Sequence, residues 1–359
     1  MRGGERVLER LCRIFPQADI YTHVLDRSAV SEEILRHSIR TTFIARLPGA
    51  VTRYRHYLPF MPAALEQLDL RGYDMVISSE AGPAKGVLTA PDCLHVCYCH
   101  SPMRYIWDRY QDYQESFGPV TRTAFKFFAH RLRLWDYASA ARVDRFIANS
   151  RWVAGRIRKY YRREAEVIYP PVDCARFRPA DGVFTSPPAN APYVFLGQLV
   201  AYKKGDLAVQ AFNASGRKLL IIGDGEQRKK LQAAAGPNIT FALRRDDAET
   251  ARLLAEARAL VFPGEEDFGI VPLEAAAAGR PVLAYARGGA LETVKDGVTG
   301  LFFAEQTPES LNAGLDRLEA MHEAFDPAVL SAWAANFDTE VFDRRMREYL
   351  ELACDCGEE

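Results

Sequence analysis

A chain of 359 residues, 48% hydrophobic and 26% charged, can bury two cores of ordinary domain size, which excludes a disordered or fibrous protein. The formal net charge of −1 hides an asymmetry: residues 1–170 carry 26 Lys and Arg against 18 Asp and Glu, a net of +8, and the remainder stands at −9. No apolar run reaches the roughly 18–20 residues of a membrane span, and seven cysteines without C-x-x-C spacing support neither a disulfide framework nor a zinc site.

Gly3-Gly4 passes straight into an amphipathic helix with Val7, Leu8, Leu11 and Ile14–Phe15 on its apolar face. Asp19–Val24 and Met75–Ser78 are predicted strands. Between them, residues 42–62 interleave Arg46, Arg53 and Arg55 with Phe43, Tyr54, Tyr57 and Phe60. That mixture suits an anionic membrane surface or a lipid-linked acceptor, and equally a core loop with solvated arginines. No nucleic-acid motif accompanies it. The strand from Leu94 ends at His100 and a turn, so His100 lies at a carboxyl end, where open α/β sheets place ligands. Residues 104–135 again mix aromatic and basic side chains, readable as a helical acceptor-side segment or as core. Val143–Ala148 is the next strand, and Asn149-Ser150 caps the helix after it.

Tyr169-Pro-Pro-Val-Asp173 marks entry to a second domain, with a Pro- and Ala-rich loop at Pro179–Pro192. The strand Tyr193–Leu196 gives way to Gly197, Gln198 and the lysine pair Lys203-Lys204, then to a helix over Leu207–Phe212. Lysines beside a helix start suit a diphosphate. The run from Leu219 ends in Gly223-Asp-Gly225, which lacks the dinucleotide fingerprint spacing and disfavours hydride transfer. Farther on, Ala259–Phe262 reads as a buried strand ending at Pro263-Gly264. A helix with Pro272 in its first turn then runs to Gly279, and 281–286 form the next strand. Glu266 and Glu274 flank this helix start with seven residues between them. The N–H groups of Phe268, Gly269, Ile270 and Val271 invite an anion, and Gly269 leaves room for close approach. Phosphate for the N–H groups and hydroxyls for the carboxylates describe a sugar nucleotide; an ordinary βαβ unit with a charged cap is the alternative.

Glu-x7-Glu around Phe268-Gly269, followed by Glu-Ala-x-Ala-x-Gly-Arg-Pro-Val, resembles the signature of the retaining family 4 glycosyltransferases with the GT-B fold. The resemblance runs in the same order over nearly the whole chain. It implies an α/β protein of two Rossmann-like, doubly wound domains facing across a cleft. Residues 1–168 would form the acceptor side and 169–338 the nucleotide-sugar side, with a helix in 339–359 crossing back onto the first domain. Family members carry one more strand before the glycine pair, so the first strand of the N-terminal domain is expected to be missing.

The resemblance also implies roles for named residues. His100 faces the transferred sugar and Glu266 holds its hydroxyls, the two catalytic positions. Gly3 and Gly4 match the first strand–helix loop, and Ser150 lies near the interdomain cleft. Gly197, Gln198 and one of Lys203 and Lys204 surround the diphosphate, with Gln198 standing where an arginine is common, and Gly223 is a further substrate-binding position. Arg244 falls in the base-binding region, Asp267 to Val271 form the helix start, and Glu274 takes the ribose hydroxyls. Neither a metal nor a bound cofactor is expected; the co-substrate is a nucleotide sugar. The wording of 264–274 and 284–294 most resembles mannosyltransferases of surface-polysaccharide assembly, so GDP-mannose is the expected donor and a glycan or lipid-linked saccharide the acceptor. The expected location is the cytoplasm, peripheral on the membrane's inner face. A UDP-sugar-dependent enzyme or nucleotide-sugar epimerase of the same fold, and a non-catalytic nucleotide-binding or assembly protein, stay open.

Overall fold

The computed structural model describes residues 3–355 apart from 116, 180–181, 186, 189 and 244–245. Short apolar runs separated by helical stretches are the spacing that parallel strands need for their crossovers. All strand pairs among the described residues are parallel. The chain divides into two units: residues up to Tyr169 together with those from Phe342 onward, and Pro170–Val341.

In the first unit, β1 (Ile20–Thr22) and β2 (Ile39–Thr41) form a pair of their own. β3 (Met75–Glu80), β4 (Leu94–Cys99), β5 (Arg145–Ala148) and β6 (Glu166–Val167) form a four-stranded sheet in that order. The helix Gly3–Ile14 buries Val7 and Leu11 on this sheet with Val96, Tyr98 and Ile147. Phe342, Met346 and Leu350 of the helix Thr339–Asp355 complete the same core. Arg10 forms an ion pair with Asp343, tying the two helices together. Within residues 42–62 the chain coils into short helical turns at Phe43–Arg46, Ala50–Arg53 and Tyr54–Phe60. The aromatics of 104–135 divide. Trp107, Tyr110, Phe125, Phe128 and Trp135 pack around Met103, Ile106, Ala129 and Leu132, whereas Phe127 points outward from the helix Pro119–Ala140.

The second unit is a six-stranded sheet made from β7 (Tyr193–Leu196), β8 (Leu219–Ile222), β9 (Ile239–Ala242), β10 (Leu260–Phe262), β11 (Val282–Tyr285) and β12 (Gly300–Phe303). The strand order is β12-β11-β10-β7-β8-β9. All of β7 and β10 is buried, as expected for strands covered on both faces.

A fully buried ionic cluster fastens the first unit. Lys85 pairs with Asp136 and lies 3.5 Å from Glu80. Asp136 also accepts from Trp107 Nε1 at 2.7 Å and from the Tyr161 hydroxyl at 3.0 Å. Burial pushes the Glu80 carboxyl up to about 7. Burial draws the Lys85 ammonium down, but the Glu80 and Asp136 charges outweigh it and hold it above its ordinary value. Removing Asp136 leaves Lys85 only the more distant Glu80 and strips Trp107 Nε1 and the Tyr161 hydroxyl of their acceptor. Asp136→Ala is therefore expected to cost about 3–5 kcal/mol of stability in denaturant unfolding; a loss below about 1 kcal/mol would show that the cluster is not what holds these segments.

Candidate active site

Between β7 and β10 the chain reverses the direction in which it adds strands, and ligands of open α/β sheets collect outside the carboxyl ends at such a point. The loops leaving β7, β8, β10 and β11 meet there, and glycines let their backbones touch. A Cβ at Gly223, just after β8, would stand 1.9 Å from the Gly197 carbonyl oxygen, and the Gly223 φ of 150° already disfavours a side chain. A Cβ at Gly264 would stand 2.8 Å from the Lys203 Cα. Gly289 donates its N–H to the Glu266 carbonyl at 2.9 Å, and a Cβ there would strike the Phe268 backbone at 2.3 Å.

Against this frame, the Lys203 ammonium lies 2.5 Å from a Glu266 carboxylate oxygen, with both side chains largely sheltered. Lys203 also runs along Gly197, where a Cβ would be 3.5 Å from its Nζ. Burial lowers the lysine's proton affinity, but the charges of Glu266 and Glu274 overcome this and hold it above the ordinary value. Lys204 takes the left-handed conformation, φ 56°, and turns the chain into the helix Gly205–Ser215. Gln198 is exposed at the end of β7. The helix Ile270–Ala277 follows β10, begins after Gly269 and buries Glu274 to 2% exposure. Ile270 and Val271 are half-buried in its first turn, and Asp267 is half-buried just before it. Phe268 is buried and packs against Phe337, with ring centroids 5.9 Å apart. Gly269 has a φ of 93°, which favours glycine, and a Cβ there would stand 3.4 Å from the Phe262 ring. Arg244 lies outside the described residues.

In the first unit a second group gathers around His100. Its ring nitrogen Nε2 lies 3.0 Å from the Ser79 hydroxyl, and Gly4 of the helix that starts at Gly3 lies against the ring. Burial pushes the His100 imidazole down to about 4, so it is neutral near pH 7. Ser150, at the end of the neighbouring strand β5, is buried and accepts from the Val153 N–H at 3.1 Å, capping the helix Arg151–Tyr161. Sequence reasoning read Gly264 and Gly289 only as turn residues and assigned no site role to them or to Ser79. Ser79 carried no local signal, whereas a Gly-Gly pair directly after a strand could have marked a close approach. No group of three or more His, Cys, Asp or Glu among the described residues could hold a metal ion.

Solved structures similar to the chain share this architecture. The sucrose-phosphate synthase of Thermosynechococcus elongatus matches with a TM-score of 0.72 at 18% identity, over 97% of this chain and 91% of that one. Anabaena HepE, solved in complex with UDP and glucose, matches with a TM-score of 0.69 at 16% identity, over 98% and 96%. The fold is GT-B. Two family profiles match in tandem: "Glycosyltransferase Family 4" over residues 1–176 and "Glycosyl transferases group 1" over 184–326. Together the two profiles cover most of the chain and support its assignment as a glycosyltransferase similar to family 4. Curated relatives include the D-inositol 3-phosphate glycosyltransferases of Segniliparus rotundus, 29% identical over 51% of this chain and 48% of the relative, and of Streptomyces bingchenggensis, 31% identical over 58% and 55%. The chain thus spans about half the length of the curated relatives it matches.

His23, His95 and His100 are each pushed down to about 4, chiefly by burial. The unfolded chain takes up these protons near pH 6.5, the folded one only near 4, so their contribution to stability is lost as pH falls through that window. Glu80, raised to about 7, opposes this with one proton. The melting temperature is expected to drop steadily from pH 6.5 to 4.5; a flat or rising profile would contradict the burial of these histidines.

Proposed function

We propose that the protein is a retaining hexosyltransferase that moves mannose from GDP-mannose onto a glycan or lipid-linked saccharide in polysaccharide assembly. The observation that carries a nucleotide-sugar reaction is the pairing of Lys203 with Glu266 at the sheet's switch point, beside the start of the helix Ile270–Ala277. Lys203 and the helix's first N–H groups offset the charge that builds on the departing diphosphate. Glu266 holds sugar hydroxyls and Glu274 the ribose hydroxyls. His100, neutral and bonded to Ser79, serves as a hydrogen-bonding partner for the sugar or its departing phosphate. The reaction follows the same-face route assisted by the leaving group, and neither a metal nor a bound cofactor takes part.

The choice of mannose and GDP rests on the wording of residues 264–274 and 284–294. A second reading has a specific footing: relatives named D-inositol 3-phosphate glycosyltransferases and a similar structure holding UDP favour a UDP-sugar with a phosphorylated polyol acceptor. Calorimetric titration of GDP, GDP-mannose, UDP and UDP-glucose separates them, since selective GDP binding supports mannose and selective UDP binding replaces it. Lys203→Ala and Glu266→Ala are each expected to lower the transfer rate by about 10²–10³-fold, as for loss of a group that stabilises transition-state charge. Wild-type rates in both variants would sink the mechanism.

The basic first unit offers an anionic membrane surface a peripheral contact. No helix among the described residues is long and apolar enough to cross a bilayer. Yet Phe127, Leu134 and Tyr137 are exposed on the outer side of the helix Pro119–Ala140, and the Arg131 guanidinium lies 4.5 Å from the Phe127 ring centroid. Phe60 and Tyr54 are exposed on the short turns that share Leu58 with that helix's packing cluster. Apolar side chains among cations suit the headgroup boundary of anionic lipid. Phe127→Ser/Leu134→Ser is expected to abolish sedimentation with phosphatidylglycerol vesicles without weakening nucleotide binding; unchanged sedimentation would remove this face from consideration.

A further inference from the structure

We propose that the Lys203–Glu266 ion pair makes the site discriminate against the bare nucleoside diphosphate in favour of the intact nucleotide sugar. The inference rests on the donor-site reading above. Two loops about sixty residues apart in sequence hold this pair, with the Lys203 and Glu266 side chains only 12% and 17% exposed. The geometry is fixed from outside: the Lys203 backbone abuts Gly264, the Glu266 carbonyl accepts from Gly289, and Glu265 is tied to Arg287 at 3.2 Å. A diphosphate that engages Lys203 therefore competes for its ammonium with Glu266, whose backbone is held in place.

The consequence differs for the two nucleotides. A sheltered carboxylate that loses its cation needs other donors, because an unpaired charge in such a place is costly. The hydroxyls of a hexose supply those donors, so the intact donor exchanges one set of contacts for another. A nucleoside diphosphate has no hydroxyl at that position and leaves Glu266 uncompensated beside its own negative charge. Once the hexose has been transferred, Glu266 loses its hydroxyl partners, competes again for Lys203 and weakens the hold on the departing diphosphate. Glu274, buried nearby and felt by Lys203, adds to the negative surroundings that make this competition effective.

The test is a double-mutant cycle on nucleotide affinity, using ligand-detected NMR so that millimolar constants are readable. UDP, GDP, UDP-glucose and GDP-mannose are titrated against the wild type, Glu266→Gln, Lys203→Met and the double variant. Glu266→Gln is expected to bind the preferred nucleoside diphosphate at least about fivefold more tightly than wild type, the equivalent of releasing one ion pair. It is also expected to lose the wild type's preference for the sugar-bearing form. That gain should vanish when Glu266→Gln is made in the Lys203→Met background. A gain that persists there would reduce the effect to simple repulsion between Glu266 and phosphate, and no gain at all would likewise overturn the inference. If no nucleotide binds any of the four proteins, the donor-site reading falls together with this one. Nucleotide binding without the predicted coupling defeats only the inference.

Discussion

The reversal of strand order between β7 and β10 is the constraint on which the second unit depends. Strands added to either side of that junction send their following helices to opposite faces, so the loops at the junction alone have room above the sheet edge. What fills the room is backbone held at contact distance by glycine. Gly223 approaches Gly197, Gly264 approaches Lys203, and Gly289 approaches Phe268, each so closely that a methyl group would collide. Such packing leaves little slack. The lysine and the carboxylate meet because their loops have nowhere else to go.

The first unit solves a different problem. Its sheet has four strands, with short β6 at one edge and the β1–β2 pair separate from it, so the interior is supplemented by other means. Hydrophobic contacts come from helices at both ends of the sequence. The Lys85–Asp136 cluster adds a polar junction that draws together the segment after β3, Trp107, the helix Pro119–Ala140 and Tyr161. Buried ion pairs add little net stability compared with apolar packing, but they tolerate few alternative arrangements. His100 sits at the edge of this rigid region, beside Ser79 on the strand that ends in Glu80.

Much of the second unit was legible in the sequence because its strands are continuous apolar runs bounded by Gly and Pro, the strongest local signals a chain offers. Leu260–Phe262 and the helix that stops before Gly279 follow from such punctuation. The types of residue at the candidate site were equally readable, since Glu266, Glu274 and the lysine pair lie in conspicuous loops. Their pairing was not, because the contact joins loops about sixty residues apart and depends on β10 pairing beside β7. Lys85 and Asp136 escaped notice for the same reason, each looking like a solvated charge. The helix Pro119–Ala140 shows a different limit. Phe125, Phe127, Phe128, Leu132, Leu134 and Trp135 spread apolar side chains over about half of its circumference, an arc too wide for periodicity to separate buried Leu132 from exposed Phe127. The strand β2 is three residues long and includes an arginine, too little pattern to detect.

The helix Thr339–Asp355 bears on how the chain matures. Phe342, Met346 and Leu350 belong to the same core as Val7 and Leu11, yet all of Pro170–Val341 is synthesised between them. At ribosomal rates of roughly 5–20 residues per second, the first unit waits on the order of ten seconds or more for its last apolar face. During that interval Val7, Leu11 and the Tyr98 ring lack part of their cover, while the contiguous second unit can close around its own sheet. The order of completion is thus the reverse of the order of synthesis.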